Sequence, residues 1–195
     1  MRCLYCYNPE IVRGKGRITF AAALEFMRSR KGLLDGVVLS GGECTMHKNI
    51  HGFLREVKKN EFLVKVDTNG SKPHLLKELV REKLVDYIAL DYKATPAKFE
   101  RITQSELHAE FEESLRFLAT GSLPFEVRTT VHSDLINTAD LREMARRLYF
   151  CGYKGKYFLQ HFVNESPTIG KLDNSKKGLI DHDSISADLE VIVRN

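Results

Sequence analysis

The chain has 195 residues, of which 43% are hydrophobic and 29% charged, and this composition predicts one globular domain with a sizeable core. Its 30 basic and 26 acidic side chains give a formal charge of +4 without a basic run, so we expect neither a nucleic-acid nor a membrane partner. No segment approaches the roughly 20 apolar residues that span a bilayer. Four cysteines without an amino-terminal apolar signal favour a reducing, cytoplasmic compartment.

Helical and strand patterns alternate along the chain. The first helical pattern covers residues 18–28, with Thr19 as its cap, and a β-branched run at 37–39 then predicts a buried strand. Further strands are predicted at 62–66, 87–90, 125–131 and 157–160, and further helices at 50–59, 74–82, 106–119 and 139–149. Strands that alternate with helices predict parallel βαβ units and an α/β fold, either an open sheet or a partial barrel.

The residues after the fifth predicted strand differ in composition from the rest. Segment 164–195 contains Gly170, Gly178 and several Lys and Asp residues, and only 189–193 is a short apolar element. We therefore predict a single domain, 1–195, in which a core at 1–163 is followed by a loop-rich carboxyl-terminal cover. The composition of this cover indicates no function.

Two cysteines stand three positions apart near the start of the chain. Cys3 and Cys6 can point both sulfurs into one pocket, as in zinc sites, iron–sulfur sites and redox disulfides. Zinc needs four ligands, and no second pair of Cys or His is spaced to supply them. The spacing alone does not decide among these three types of site.

Polar motifs follow three successive predicted strands, and they are Ser40-Gly41-Gly42-Glu43, Asp67-Thr68-Asn69-Gly70 and Asp91-Tyr92-Lys93. In parallel α/β folds, ligands bind at the carboxyl ends of the strands. We therefore expect these motifs to share one pocket with the cysteines. Taken singly, each motif is also compatible with a glycine turn, a capping aspartate or a surface ion pair.

With the two cysteines, these motifs resemble the radical S-adenosylmethionine (SAM) superfamily, most closely the activating enzymes of glycyl-radical proteins. The stretch Arg2-Cys3-Leu4-Tyr5-Cys6-Tyr7-Asn8-Pro9-Glu10 is similar to the activating protein of anaerobic ribonucleoside-triphosphate reductase. This resemblance implies a partial (β/α)6 barrel of radical SAM type with its first strand missing. It also implies two cofactors, a [4Fe-4S] cluster and SAM.

The cluster motif of the family, C-x-x-x-C-x-x-C, is matched only in part. Cys3 and Cys6 correspond to its second and third cysteines, and the first would precede Met1. The favoured explanation is a true start upstream of Met1. The alternatives are a degenerate homologue without a cluster, or an unusual site that Cys44 completes. Cys151 is predicted to be a structural or surface thiol.

The resemblance also implies roles for individual residues. The Gly41-Gly42-Glu43 stretch would contact the amino group of SAM, and a monovalent cation beside the SAM carboxylate would be held by Asp67, Thr68 and Asp91. Because two carboxylates repel each other, we expect Lys93 to supply part of the positive charge between them. Further predicted cofactor contacts are Asn69, Arg128 and Gln160, with His161 as an alternative to Gln160 and with Tyr5 and Tyr7 packed over the cofactor.

The chemistry implied by the resemblance is one-electron cleavage of SAM to a 5′-deoxyadenosyl radical. That radical would take hydrogen from a glycine of a partner, either anaerobic ribonucleotide reductase or another glycyl-radical protein. A flavodoxin or ferredoxin would supply the electron. The alternatives are another small radical SAM reaction, for example on a modified nucleobase, and a metal-binding module without activity.

Overall fold

The computed structural model describes residues 1–14, 16–176, 184–186 and 188–194. It contains one sheet of six strands: β1 Gly36–Leu39, β2 Leu63–Thr68, β3 Tyr87–Asp91, β4 Phe125–Val131, β5 Tyr157–His161 and β6 Val191–Arg194. All neighbouring strands are parallel, and their order in the sheet is their order in the sequence. Within the described ranges β1 and β6 have one neighbour each, so the sheet is not closed.

Helices connect the first five strands, as parallel pairing requires, and two further helices precede β1. They are α1 Pro9–Arg13, α2 Phe20–Ser29, α3 Ile50–Lys59, α4 Pro73–Arg81, α5 Pro96–Thr103, α6 His108–Thr120 and α7 Thr138–Phe150, with a 3-10 turn at Cys44–Met46. None of the helices in the described ranges is long and apolar enough to cross a membrane.

The two faces of the sheet differ in polarity. On β2, Val64 and Val66 are buried, whereas Lys65 and Asp67 are partly exposed on the opposite face. The apolar face packs against the amphipathic helices, for example against the buried side chains of α3, and this burial drives folding. The opposite face therefore keeps its polar groups available for a ligand.

Most predicted elements are present with small shifts of their ends. The amide of Ala22 donates to Thr19 Oγ1 at 3.2 Å, so the predicted cap of α2 is confirmed. Helices α1 and α5 were not predicted, although Pro9 and Pro96 stand in their first turns, where proline is favoured.

The predicted apolar element at 189–193 overlaps strand β6. Because β6 pairs with β5, the predicted division at residue 163 separates two neighbouring strands of one sheet. The tail therefore contributes to the fold as well as covering it. Gly178 lies outside the described residues.

Candidate functional site

A cavity of about 300 Å³ lies at the carboxyl ends of the strands, where the cysteine loop meets the three predicted motifs. Its wall consists of Met1, Cys3, Tyr5, Cys6, Tyr7, Asn8, Val12, Ser40, Gly41, Gly42, Asp67, Asn69, Asp91, Lys93, Arg128, Thr130 and Gln160. Residues far apart in sequence thus meet because parallel strands end at one edge of the sheet.

The loop that carries the two cysteines is held by backbone hydrogen bonds. The amide of Cys6 donates to the carbonyl of Cys3 at 3.0 Å, and the amide of Leu4 donates to the carbonyl of Ile102 at 2.9 Å. Cys3 is buried and Cys6 is half-buried. Burial raises the pKa of the Cys3 thiol, whereas Lys93 acts in the opposite direction. Two sulfurs on one cavity wall suit a thiolate-bound centre.

The other two cysteines lie off this wall. Cys44 Sγ donates to the carbonyl of Asp67 at 3.5 Å, and burial raises the pKa of Cys44 to about 12. Cys151 caps the end of α7. The alternative in which Cys44 completes a cluster site gains no support from this position, because Cys44 is not on the wall with Cys3 and Cys6. Among the described residues, no three Cys, His, Asp or Glu side chains are grouped to hold a metal, so two sulfurs are what this part of the chain offers.

Arg128 lies between the two carboxylates of the cavity. Its Nη2 is 3.1 Å from Asp67 Oδ2, and its Nε is 2.6 Å from Asp91 Oδ1. Lys93 Nζ is 3.0 Å from Asp91 Oδ2. We expected a lysine or a cation between the carboxylates, but a guanidinium takes that place because β4 lies next to β3 and puts Arg128 opposite Asp91. The predicted monovalent cation at Asp67, Thr68 and Asp91 stays a prediction.

Asp91 makes folding dependent on pH. Burial raises the pKa of Asp91, but Lys93 and Arg128 outweigh burial and hold the pKa below its usual 3.8. A carboxyl group with a lowered pKa stabilises the fold fully above its ordinary pKa, and this stabilisation is lost as the pH falls through the lowered pKa.

We therefore expect the free energy of unfolding, measured with urea at several pH values, to fall below about pH 4. The Asp91→Asn variant should lose the part of this slope that Asp91 causes. If wild type and variant keep the same slope, Asp91 is not responsible for the acid sensitivity.

Tyr5, a residue of the cavity wall, has a buried hydroxyl. Tyr5 is 4% exposed, and its hydroxyl has no oxygen or nitrogen partner among the described residues. Burial raises the pKa of Tyr5, so the hydroxyl keeps its proton. The ammonium of Lys93 lies 5.8 Å from the centre of the Tyr5 ring. The nearest polar group that acts on the Tyr5 hydroxyl is the Cys3 thiol, so Tyr5 supports the cysteine loop.

Glu43 has a role that the sequence did not reveal. Its carboxylate accepts hydrogen bonds from Thr45 Oγ1 (2.6 Å), Thr68 Oγ1 (2.8 Å) and the amide of Asn69 (2.8 Å). Glu43 therefore joins the loop after β1 to the end of β2 and holds Gly42 in place. Neither Glu43 nor Thr68 is part of the cavity wall, and their predicted contacts with SAM or a cation stay predictions.

Most of the remaining predicted cofactor contacts lie on the cavity wall. Tyr7, Asn69 and Gln160 are on the cavity wall, whereas His161 is not, because neighbouring residues of a strand face opposite sides. The wall residue Thr130 was missed in the sequence. The same alternation places it on the face of Arg128, so the pattern contains a signal for it.

Gly70 follows Asn69 in a conformation that other residues adopt with difficulty. Its φ is +71°, and a Cβ there would lie 3.0 Å from Leu90 Cδ1. Gly70→Ala is expected to lower the free energy of unfolding by about 2 kcal/mol, measured by urea denaturation. Gly52→Ala is the control, because nothing lies within 4 Å of its Cβ position. Equal stability of the two variants would contradict this account of Gly70.

The family profile of the radical SAM superfamily matches residues 1–148, and the chain belongs to this superfamily. Its members use SAM and an iron–sulfur cluster. The predicted family and the predicted fold are confirmed: the six-stranded, unclosed parallel sheet is the partial barrel of radical SAM type.

The relatives show which proteins the chain resembles. A Methanocaldococcus jannaschii protein, provisionally named glycyl-radical enzyme activating enzyme MJ1227, is 27% identical over 172 residues, which are 83% of this chain and 68% of that protein. Streptococcus suis SuiB bound to S-adenosylmethionine superposes over 100% of this chain and 47% of its own, with a TM-score of 0.74 and 12% identity. A domain of pyruvate-formate lyase-activating enzyme from Bacteroides vulgatus superposes over 82% of this chain and 99% of its own, with a TM-score of 0.63 and 14% identity.

The similarity to the solved structures concerns the fold. At 12% and 14% identity the two solved structures show a shared fold. The chain spans about half the length of SuiB.

Proposed function

We propose that this protein is a radical SAM activase that generates a glycyl radical on a partner protein. The observation that carries the proposal is the single cavity in which Cys3 and Cys6 meet Gly42, Lys93 and Arg128. The relative from Methanocaldococcus jannaschii, whose provisional name is of this class, supports the activase subtype.

Cys3 and Cys6, which match two of the three cysteines of the family motif, would hold two irons of the cluster. When bound, the cluster and SAM supply one-electron cleavage of a carbon–sulfur bond. The protein contributes the cavity wall, on which both sulfurs lie beside the polar groups of the strand ends.

The cavity wall suits the charges of SAM. Asp67 and Asp91 are balanced by Lys93 and Arg128, so the wall carries both signs of charge without a net charge of its own. An amino acid group, which is zwitterionic, can contact both signs there. The backbone at Gly42 is open to close approach, because no side chain covers it. The uncharged amides of Asn69 and Gln160 remain for the adenosine.

Gly42→Ala tests whether this wall binds SAM. A Cβ at residue 42 would lie 3.9 Å from Val12 Cα, an ordinary contact, so the fold should tolerate it. We expect an unchanged melting temperature and about tenfold weaker SAM binding by isothermal titration calorimetry, because the added methyl group occupies ligand space. Gly52→Ala should bind SAM like wild type. If the Gly42→Ala variant binds SAM with unchanged affinity, SAM does not bind at this wall.

The activase step has its own experiment. Reconstituted protein, SAM and a chemically reduced flavodoxin or ferredoxin are incubated anaerobically with purified anaerobic ribonucleotide reductase. We expect the doublet of a glycyl radical in the electron paramagnetic resonance spectrum. SAM cleavage without this signal, with several glycyl-radical proteins tried, would favour another radical SAM reaction. The predicted cytoplasmic location belongs to the same proposal.

A metal-binding module without activity is the second candidate. The observation that favours it is that two sulfurs, and no third metal-binding side chain of the described residues, are grouped at the cavity. Metal analysis after anaerobic purification distinguishes the candidates. Iron with sulfide supports the activase, and zinc supports the module.

A further inference from the structure

Residues 168–176 of the tail pass along the loop that carries Cys3 and Cys6, and we call these residues the strap. The amide of Ile169 donates to the carbonyl of Cys6 at 3.1 Å, and the amide of Gly170 donates to the carbonyl of Leu4 at 2.8 Å. The strap thus contacts the backbone of the cysteine loop at two points. Nothing in the composition of the tail indicated this contact.

The strap approaches the cysteine loop so closely that residue 170 has no room for a side chain. A Cβ at Gly170 would lie 2.8 Å from Leu4 Cβ and 2.9 Å from the Leu4 carbonyl oxygen. The carbonyl oxygen is a backbone atom and the position of Cβ is fixed by the backbone, so neither can rotate away. The glycine is required here by space, since its φ is outside the left-handed region.

The far end of the strap is attached to the loop between β4 and α7. His132 is fully buried, and its Nδ1 accepts a hydrogen bond from the amide of Asp134. Its Nε2 therefore carries the proton and donates to the carbonyl of Asp173 at 2.9 Å. The amide of Ser133 also donates to Ser175 Oγ at 3.0 Å.

Asn164 supports the same end of the strap from the chain just after β5. Its Oδ1 accepts from the amide of Ser175 at 2.8 Å, and its Nδ2 donates to the carbonyl of Ser175 at 3.1 Å. The strap is consequently attached at both ends, to the cysteine loop and to the segments that follow β4 and β5.

We propose that the strap is a positioning element that holds Cys3 and Cys6 against the cavity. On its other side the cysteine loop is bound to the end of α5, where the amide of Leu4 donates to Ile102. Leu4 is therefore bonded on both sides, by α5 and by Gly170. This inference rests on the proposed function only for the role of the two sulfurs as cluster ligands.

Alkylation of the metal-free full chain by iodoacetamide, followed by peptide mass spectrometry, tests the strap without any cofactor. Cys3 is 7% exposed and is the reporter, and Cys44 is the internal reference for general unfolding. Gly170→Ala should displace the strap and speed alkylation of Cys3 about tenfold, with Cys44 unchanged. Asn164→Ala should have the same selective effect from the far end.

The control is Gly52→Ala, which makes the same chemical change where nothing lies within 4 Å. It should leave the alkylation rate of every cysteine unchanged. Wild-type rates at Cys3 in both strap variants would overturn the proposal. So would equal acceleration at Cys3 and Cys44 in Asn164→Ala, because the strap would then stabilise the whole fold and not the loop.

Iron bound per chain after anaerobic reconstitution is the second readout. Gly170→Ala should retain less iron than wild type and Gly52→Ala as much. If wild type itself binds no iron while the alkylation result holds, the proposed function fails and the positioning role of the strap stands. The two failures are thus distinguishable.

Discussion

Cys3→Ser is expected to remove iron from the reconstituted protein and to lower SAM cleavage by more than about 100-fold, beyond the 10- to 100-fold typical of residues that only support a ligand. Serine has nearly the same shape but does not replace a thiolate toward iron. Cys3 is the more buried of the two cysteines on the cavity wall, so a water molecule has less access to the position of its sulfur. Iron and sulfide analysis and the release of deoxyadenosine measure the effect.

Cys151→Ser is the matched control for this experiment. Cys151 caps α7 and is absent from the cavity wall, so the same exchange of sulfur for oxygen should leave iron content and SAM cleavage unchanged. Cys44→Ser should also keep its iron, because the Cys44 thiol donates to the carbonyl of Asp67 and a serine hydroxyl can do the same. A Cys3→Ser protein with normal iron would refute the assignment of Cys3 as a ligand.

Arg128→Met is expected to lower the free energy of unfolding by about 3 kcal/mol, because breaking a buried ion pair leaves an uncompensated charge. Arg128 is 16% exposed and neutralises Asp67, whose other cationic neighbour, Lys65, is 3.9 Å away. Asp91 keeps Lys93. Urea denaturation at neutral pH measures the loss.

The same exchange at Arg55 is the control. Arg55 pairs with Glu82 on the surface and is 55% exposed, so Arg55→Met should cost less than about 1 kcal/mol. Equal losses in the two variants would show that the cavity charges are not specially coupled. The Arg128→Met variant also tests the predicted cation: if potassium restores its stability and tetramethylammonium does not, Asp67 and Asp91 can hold a monovalent ion.

The sequence predicted the strands of the sheet well because they are short β-branched or apolar runs, and the first three are followed by polar motifs. It also predicted that Gly42, Asp67 and Lys93 would share one edge with Cys3, since parallel strands end together. What it could not predict is which cation lies between the carboxylates. That choice depends on the register of β3 and β4, which pairs Asp91 with Arg128.

Two further features lay beyond the sequence for different reasons. The strap contacts the cysteine loop through backbone groups, and backbone hydrogen bonds between distant segments leave no side-chain pattern to recognise. Helix α5 did leave a pattern, with Thr95 at the cap position and Pro96 in the first turn, but its eight residues are too few to show a clear apolar period. Long-range backbone contacts and short helices are therefore the features that could not be predicted from the sequence.

The hydrogen bonds of Glu43 have an evolutionary consequence. The Glu43 carboxylate accepts hydrogen bonds from the turn after β1 and from the end of β2. Loss of this carboxylate therefore leaves Thr45, Thr68 and the amide of Asn69 without their acceptor at the same time. Single substitutions at residue 43 should be rare among descendants of this sequence. Replacements that persist should arrive together with changes at residues 45 and 68, as inherited sets.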